Sequence, residues 1–465
     1  MTMQVALYGA ADEVTGSSYH VTTPQASVLV DFGAFQGSRE SEGRNAVPRA
    51  LDVRRLQAVV LTHGHLDHTG RLPLLVKAGY HGPIFATPGT IDVAGLILRD
   101  SAHVLQMNVE HINRKRMRAG APPIHPAFDD DDVSATLALM RPLPYEQPTS
   151  VAPDITAIMH EAGHLLGSAS VELHVQDQGK LRNLVFSGDI GPKTMPILRD
   201  SATLTKADWV FMESTYGDHD HRPLDETIKE FAQLVRHAID RKGKILVPSF
   251  AIGRTQQLLY HLAHLVRDHG IPTFPIYIDS PLAIRANEVY SKHPELYDTE
   301  AAAFVSSGEM EKYLGSVKNC QTADESKALN NIKGTCMIIA GAGMCNAGRI
   351  LHHLKHNLWK PETTVIIVGY QAPGSLGRNL LEGKNPVSIF GEQIAVNATV
   401  RALGGFSAHA GQTELLQWFS SFAPAHPRLT LAHGENRGRL PLAKLIEQKF
   451  GIKAELPMDA TPLTM

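Results

Sequence analysis

Thr62-His63-Gly64-His65-Leu66-Asp67-His68 packs three imidazoles and a carboxylate into the six residues from His63 to His68. That combination binds divalent metal, imidazole being the commonest metal ligand. In an extended segment His63 and His65 project to one side and can grip one ion, while Asp67 and His68, at the turn into a helix, can reach a second. Without an ion such groups are costly to gather in one buried place. A second motif, His160-Glu161-Ala162-Gly163-His164, matches the H-E-x-x-H of zinc metalloproteases. That chemistry needs both histidines on one face of a helix. Here the flanks DITAIM and ASVELHV are β-branched or alternating, and Gly163 inside a helix would cost about 1 kcal/mol. The pattern predicts strand, turn and strand, with His164 as a ligand and His160 and Glu161 as neighbours without an assigned role. The protease alternative predicts proteolysis abolished by Glu161→Gln.

Three further segments pass from a strand through glycine into a helix: GKILVPSFAIGRTQQLL, GAGMCNAGRILHHL and QAPGSLGRNLL. Backbone N–H groups at helix starts bind anions, and arginine adds bidentate phosphate contacts. Ser249, Arg254, Arg349, Ser375 and Arg378 are therefore candidate substrate-binding residues along a phosphate track. None of the three is a Walker A loop or a G-x-G-x-x-G fingerprint, so neither nucleoside triphosphate nor dinucleotide binding is implied.

The elements that must hold these residues read as α/β. The apolar strand LQAVVL precedes the His63–His68 loop and the amphipathic segment RLPLLVKAGY follows it. The loop thus sits at a strand's carboxyl end, where α/β folds place their sites. Residues 91–147 read as helices, with the acidic run Asp129–Asp132 as a solvated helix start. Strands return at DITAIMHEAG, ASVELHV and LRNLVFSGD. From about residue 201 strand and helix alternate through DWVFMEST, KILVPSF, PIYIDSP, CMIIAGAG and TVIIVGY, which implies a second module with a parallel sheet.

Composition bounds the rest. The 465 residues include 43% hydrophobic and 20% charged side chains, the profile of a globular protein. The formal net charge of -3 gives no bulk attraction for nucleic acid, so a polyanionic substrate must be drawn by a local site. The three cysteines, Cys320, Cys336 and Cys345, lack C-x-x-C spacing, which argues against a disulfide framework or a thiolate zinc site. No long apolar run indicates a membrane span and the first residues lack the pattern of a signal peptide, so a cytoplasmic protein is expected.

The H-x-H-x-D-H signature, the later His164 and Ser187-Gly188-Asp189 together resemble the metallo-β-lactamase fold. Downstream, Glu213-Ser214-Thr215-Tyr216-Gly217, Ser249 to Arg254, Asp279-Ser280-Pro281-Leu282-Ala283, Gly374 to Arg378 and Phe406-Ser407-Ala408-His409 resemble its β-CASP branch. That branch comprises nucleases, including the endonuclease of messenger RNA 3'-end cleavage and its bacterial and archaeal relatives. The resemblance covers essentially the whole chain. It implies an αββα sandwich with an inserted α/β β-CASP domain. The metallo-β-lactamase domain would span residues 1–200 and 374–465, and the β-CASP domain 201–373.

By that resemblance two zinc ions bind per chain, one at His63, His65 and His164, the other at Asp67, His68 and His409, with Asp189 and a hydroxide bridging both. Asp31 would orient a metal ligand, and Asp31, Asp67 and Glu213 would serve catalysis. The family's proton-donating histidine, counted from the G-x-L segment, falls near Arg378 and Asn379, which leaves the general acid unassigned. His352 and His353 read as surface residues of a helix. His433 in LAHGEN lines the wall of the site without an assigned role. A histidine at the last motif, taken as His409, resembles the RNA-directed members. The implied activity is a ribonuclease that hydrolyses single-stranded RNA to 5'-phosphate and 3'-hydroxyl ends. The alternatives are an ester or thioester hydrolase of the same fold and a catalytically silent RNA-binding subunit. The choice between endo- and exonucleolytic action and the oligomeric state stay open, a homodimer being common among relatives.

Overall fold

The computed structural model describes residues 2–37, 39–193, 195–372 and 374–465. Two compact units emerge, one from the residues up to Asp220 together with His409–Met465, the other from His221–Ala408. The crossings expected at 200 and 373 fall elsewhere, and Pro373 itself lies outside the described residues. Hydrogen bonding explains both offsets. Trp209–Met212 pairs with Lys180–Phe186 and Arg428–Leu431 in the first unit, whereas Thr399–Ala402 pairs with Thr364–Ile367 in the second.

The first unit is two seven-stranded sheets. One runs Pro462–Thr464, Gln4–Leu7, Tyr19–Thr22, Ser27–Val30, Ala58–Val60, Ile84–Ala86 and Met140–Pro142 in spatial order. The other runs Ala454–Glu455, Arg428–Leu431, Trp209–Met212, Lys180–Phe186, Ala169–Asp177, Ile155–Glu161 and Thr149–Ala152. Alternation along the strands divides three apolar layers, because successive side chains point to opposite faces. Val28, Val30 and Val60 join Met159, Leu173, Leu184, Phe186, Trp209 and Phe211 between the sheets. Leu29, Val59 and Leu61 face outward, with Leu72, Leu75, Leu98 and Val133 of the covering helices. Val185, Val210, Met212, Leu429 and Leu431 meet Leu415, Phe419, Leu442 and Ile446 on the other side. Strands buried on both faces need continuous apolar sequence, which is why LQAVVL and DWVFM show no polar alternation. Phe186 stacks on Phe211 at 4.7 Å and Trp209 on Phe211 at 4.8 Å, pairs worth about 0.5–1.5 kcal/mol each beyond area burial.

In both sheets the strands that end in candidate ligands run parallel to a neighbour: Ser27–Val30 with Ala58–Val60, and Lys180–Phe186 with Trp209–Met212 and Arg428–Leu431. Their carboxyl ends deliver Asp31, His63, Asp189, Glu213 and His433 in turn.

The second unit holds a six-stranded, all-parallel sheet in the order Val317–Asn319, Ile276–Ile278, Cys336–Ala340, Lys244–Pro248, Thr364–Ile367 and Thr399–Ala402. Ile245, Val247, Met337 and Ile339 pack on one face, and Leu246, Ile338, Val365 and Ile367 on the other. Helices including Leu224–Asp240, Arg254–Asp268 and Arg349–Asn357 supply side chains to these two layers. The three cysteines are buried and free. No helix among the described residues is long and apolar enough to cross a membrane.

Candidate metal centre

The strand Ala58–Val60 ends in Leu61, Thr62 and His63, and a short helix, Leu66–Thr69, begins after His65. Gly33 lets this loop approach the neighbouring strand end. A Cβ there would lie 1.5 Å from the Asp67 carbonyl oxygen, so no other residue fits without displacing the loop. Arg71, buried, pins the same region by donating to the carbonyls of Gly33, Tyr8 and Gly16. His164 follows the strand Ile155–Glu161 in a loop, and Gly163 adopts φ 68°, a left-handed conformation that glycine favours and a helix forbids. His160 lies within the strand and bonds Glu146 at 2.9 Å and Glu172 at 2.7 Å. The H-E-x-x-H protease helix is therefore absent, and strand, turn and strand is the structure.

Three overlapping ligand groups form, the third being Asp189, Glu213 and His433, which draws on members of the other two. In the first, His63 Nε2 lies 3.0 Å from His65 Nδ1, and His164 Nε2 lies 3.2 Å from that same nitrogen. Asp189 Oδ2 stands 3.6 Å from His63 Nε2 and 3.5 Å from His164 Nε2. In the second, His68 Nε2 lies 3.2 Å from His433 Nε2 and 3.4 Å from Asp189 Oδ1, with Asp67 Oδ2 3.9 Å from His433. Ligands 2.0–2.1 Å from a tetrahedral zinc stand about 3.3–3.4 Å apart, a value that these edges of 3.0 to 3.9 Å bracket. Asp189 Oδ1 is buried and accepts no hydrogen bond among the described residues. An orphaned carboxylate oxygen facing two imidazoles fits a cation between them. The donor set thus suits metal ions, and Asp189 reaches both groups, one oxygen to each.

The second group holds His433 where the sequence analysis assigned His409. The cause is strand geometry. Arg428–Leu431 lies parallel to Trp209–Met212, with Leu431 level with Met212, so His433 arrives beside the turn after Glu213. Its φ of 47° turns the ring inward, and Thr215 Oγ1 lies 3.3 Å from its Nδ1. His409 instead places Nδ1 3.3 and 3.2 Å from the two oxygens of Glu213, with Nε2 3.9 Å from Asp189 Oδ2. Glu213 also accepts from the Ile190 N–H at 2.6 Å, and it stands with Asp189 and His433 in the third group.

Asp31 touches no position where an ion fits. Its φ is 59°, and it accepts from Thr62 N and Thr62 Oγ1, both at 2.8 Å. His68 Nδ1 lies 2.7 Å from Asp31 Oδ2. A proton on that nitrogen, held by the carboxylate, leaves Nε2 unprotonated toward the second group.

Electrostatics follow from burial and crowding. Burial pushes the His63 and His65 pKa values down, and neighbouring imidazoles push His63 further, which favours the neutral form that binds metal. Burial would raise Asp67, but His433, His68 and His65 outweigh it and hold it at about 2. Asp189 is held far below the usual carboxylate range: burial opposes this, but His433, His68, His409 and His63 prevail. Burial lowers His409, yet Glu213 and Asp189 together lift it to about 9.

The candidate substrate residues all lie in the second unit. Ser249 Oγ bonds Thr255 Oγ1 at 3.1 Å and the Phe250 carbonyl, and Ser375 Oγ caps its helix through Arg378 N. Arg254 is buried and donates to Gln257. Arg349 does not present a free fork: it donates to Asp279 at 2.7 Å and to the carbonyls of Cys320 and Gln321. Arg378 is exposed beside Glu382, 2.7 Å away. His353 is not a surface residue but is buried against Asp279 at 2.6 Å.

Comparison with known proteins agrees with this architecture. A model described as the metallo-beta-lactamase superfamily matches residues 11–249. One for the Beta-Casp domain matches 255–380, and one described as "Zn-dependent metallo-hydrolase RNA specificity domain" matches 393–457. The chain is 38% identical over 444 residues to "Ribonuclease TTHA0252" of Thermus thermophilus, covering 96% of each. It is 30% identical over 476 residues to "Transcription termination factor FttA" of Thermococcus kodakarensis, covering 98% of this chain and 70% of that one. A solved Enterococcus faecalis protein of unknown function shares the fold at TM-score 0.57 and 13% identity, with full coverage of both chains. The two sheets with their shared-carboxylate ligand groups and these matches place the chain in the β-CASP branch of the metallo-β-lactamase superfamily, as a metal-dependent hydrolase.

Proposed function

We propose that this chain is a cytoplasmic two-zinc ribonuclease that hydrolyses phosphodiester bonds of single-stranded RNA, leaving 5'-phosphate and 3'-hydroxyl ends. The observation that carries the reading is the pair of ligand groups joined through Asp189, with the His409–Glu213 pair alongside. His63, His65, His164 and Asp189 would hold one ion, and Asp67, His68, His433 and Asp189 the other. When bound, two such ions supply a water of lowered pKa and the positive charge that a phosphodiester anion needs. Only Asp67 and Asp189 offset that charge among the proposed ligands, so the centre stays attractive to an anion.

The protein's own groups supply the rest. Asp31 fixes the His68 ring through Nδ1. His409, oriented by Glu213 and partly open to solvent, is placed to hand a proton from Nε2 to the departing 3'-oxygen. It takes the proton-donating part that counting from the G-x-L segment leaves unassigned. The RNA reading is supported by the ribonuclease name of one relative and by the description of the 393–457 match. Arg378 and the helix starts at Ser249 and Ser375 are the proposed phosphate contacts, while Arg254 and Arg349 serve the fold.

Cleavage of a 5'-labelled single-stranded RNA, beside the same sequence as DNA, tests this with zinc-loaded protein and Asp67→Ala. RNA cut by the unmutated protein alone, with products that a 5'-phosphate-dependent ligase accepts, is the expected result. Intact RNA with hydrolysis of a chromogenic ester would favour a small-molecule hydrolase instead.

A further inference from the structure

The helix Pro88–Arg118 runs on for sixteen residues after its last buried side chain, Ala102. At 100° per residue, Val104, Met107, His111, Arg114, Lys115 and Arg118 fall within an arc of about 100°. All six are exposed. Asn113 and Arg116, on the opposite side, bind the returning chain. Asn113 exchanges two 2.9 Å hydrogen bonds with Ile124, and Arg116 donates to the Pro122 carbonyl at 2.6 Å. The return thus covers one face and leaves the other bare.

The bare face is cationic and unneutralised. Among the described residues no carboxylate pairs with Arg114, Lys115 or Arg118, although the chain carries a formal charge of -3. On the neighbouring helical layer, by contrast, Arg99 meets Asp130 at 2.8 Å and Lys77 meets Asp132 at 3.1 Å. Cations in a last turn offset the helix dipole, but that accounts for neither His111 nor the exposed Val104 and Met107 on the same face.

We propose that this face is a second RNA-binding site, which grips the phosphate backbone of single-stranded RNA through Arg114, Lys115 and Arg118, with Val104 and Met107 against ribose and base. It rests on the ribonuclease reading for its choice of polyanion. The helix begins at the metal loop, where Val93 packs against Gly64. From there to Arg114–Arg118 is about 30–40 Å at 1.5 Å per residue. Stacked RNA covers that in about ten nucleotides at 3.4 Å each. The site therefore acts on long RNAs and is invisible to short ones.

The test compares unmutated protein with the triple variant Arg114→Gln, Lys115→Gln, Arg118→Gln. Binding of a labelled RNA of about 30 nucleotides is followed by anisotropy against salt, and cleavage of an RNA of about 6 nucleotides is measured separately. Three lost phosphate contacts should flatten the slope of log K against log salt by about 2 and weaken long-RNA binding on the order of ten- to hundredfold at about 0.1 M salt. Short-RNA cleavage should be unchanged, and Arg114→Lys with Arg118→Lys should restore long-RNA binding. Equal long-RNA affinity and slope in both proteins would overturn the site, as would unchanged RNA binding with lost binding to phosphatidylserine vesicles. If neither protein cuts RNA but the variant still loses long-RNA affinity, the second site stands and the catalytic reading falls.

Discussion

Asp31→Asn separates a residue that orients a ligand from one that binds metal. Asparagine matches aspartate in size and tolerates the left-handed φ of 59°, so the backbone has no reason to move. Its amide oxygen can still accept from Thr62 N, where Asp31 Oδ1 now accepts at 2.8 Å. The amide nitrogen then replaces Oδ2, which today lies 2.7 Å from His68 Nδ1 and accepts from Thr62 Oγ1. Two donors now face each other, and His68 is driven to carry its proton on Nε2, the atom that faces the second ligand group. Loss of such a partner costs 10–100-fold in metal affinity, about 1.4–2.7 kcal/mol. The first group, which Asp31 does not touch, should keep its affinity. Competition with a graded series of chelators resolves the two sites. Unchanged affinity at both, or equal loss at both, would refute the assignment of Asp31 to His68.

Other perturbations reach other links. His409→Gln and Glu213→Gln should each lower kcat by about 10²–10⁴-fold, the usual worth of a positioned proton donor. The double variant should be scarcely worse than either, since the two act as one unit; additive losses in single-turnover cleavage would separate them. Gly33→Ala should expel the metal loop, because the new methyl group would fall 1.5 Å from the Asp67 carbonyl oxygen; full metal content in the variant would contradict that contact. For His160, burial lowers the pKa but Glu172 and Glu146 raise it above its ordinary value. A raised folded pKa stabilises below the unfolded value of about 6.5, and that stability is lost as pH climbs through the folded value. His160→Gln should therefore lower Tm more at about pH 6 than at about pH 9, and a pH-independent difference would remove the ion pair from the account.

The His63–His68 loop was legible as a candidate metal loop because its four candidate ligands lie within six residues bracketed by an apolar strand and a helix start, features that survive without any tertiary knowledge. The strand reading of the His160–His164 segment followed equally from local pattern, since Gly163 and the β-branched flanks carry it. His433 was not legible in this way. One histidine among 24, it gains meaning only from the parallel pairing of Arg428–Leu431 with Trp209–Met212. A signal was present all the same: an apolar strand, LTLA, running directly into His-Gly, the same strand-end placement that singles out His63. The structure groups His433, rather than His409, with Asp67 and His68, and order along the chain does not reveal which of two late histidines stands at a strand's carboxyl end. Arg349 and His353 misled for a related reason. Their buried partner, Asp279, lies 70 and 74 residues away, so the clasp that occupies them is invisible to any local window.

The most direct test of the central claim is zinc content per folded chain, measured by elemental analysis after dialysis, for the unmutated protein, His433→Ala and His409→Ala. Two zinc ions in the unmutated protein and in His409→Ala, with about one in His433→Ala, are expected, RNA cleavage being lost in both variants. Retention of both ions by His433→Ala, with loss of one from His409→Ala, would contradict the ligand assignment and the role given to the His409–Glu213 pair.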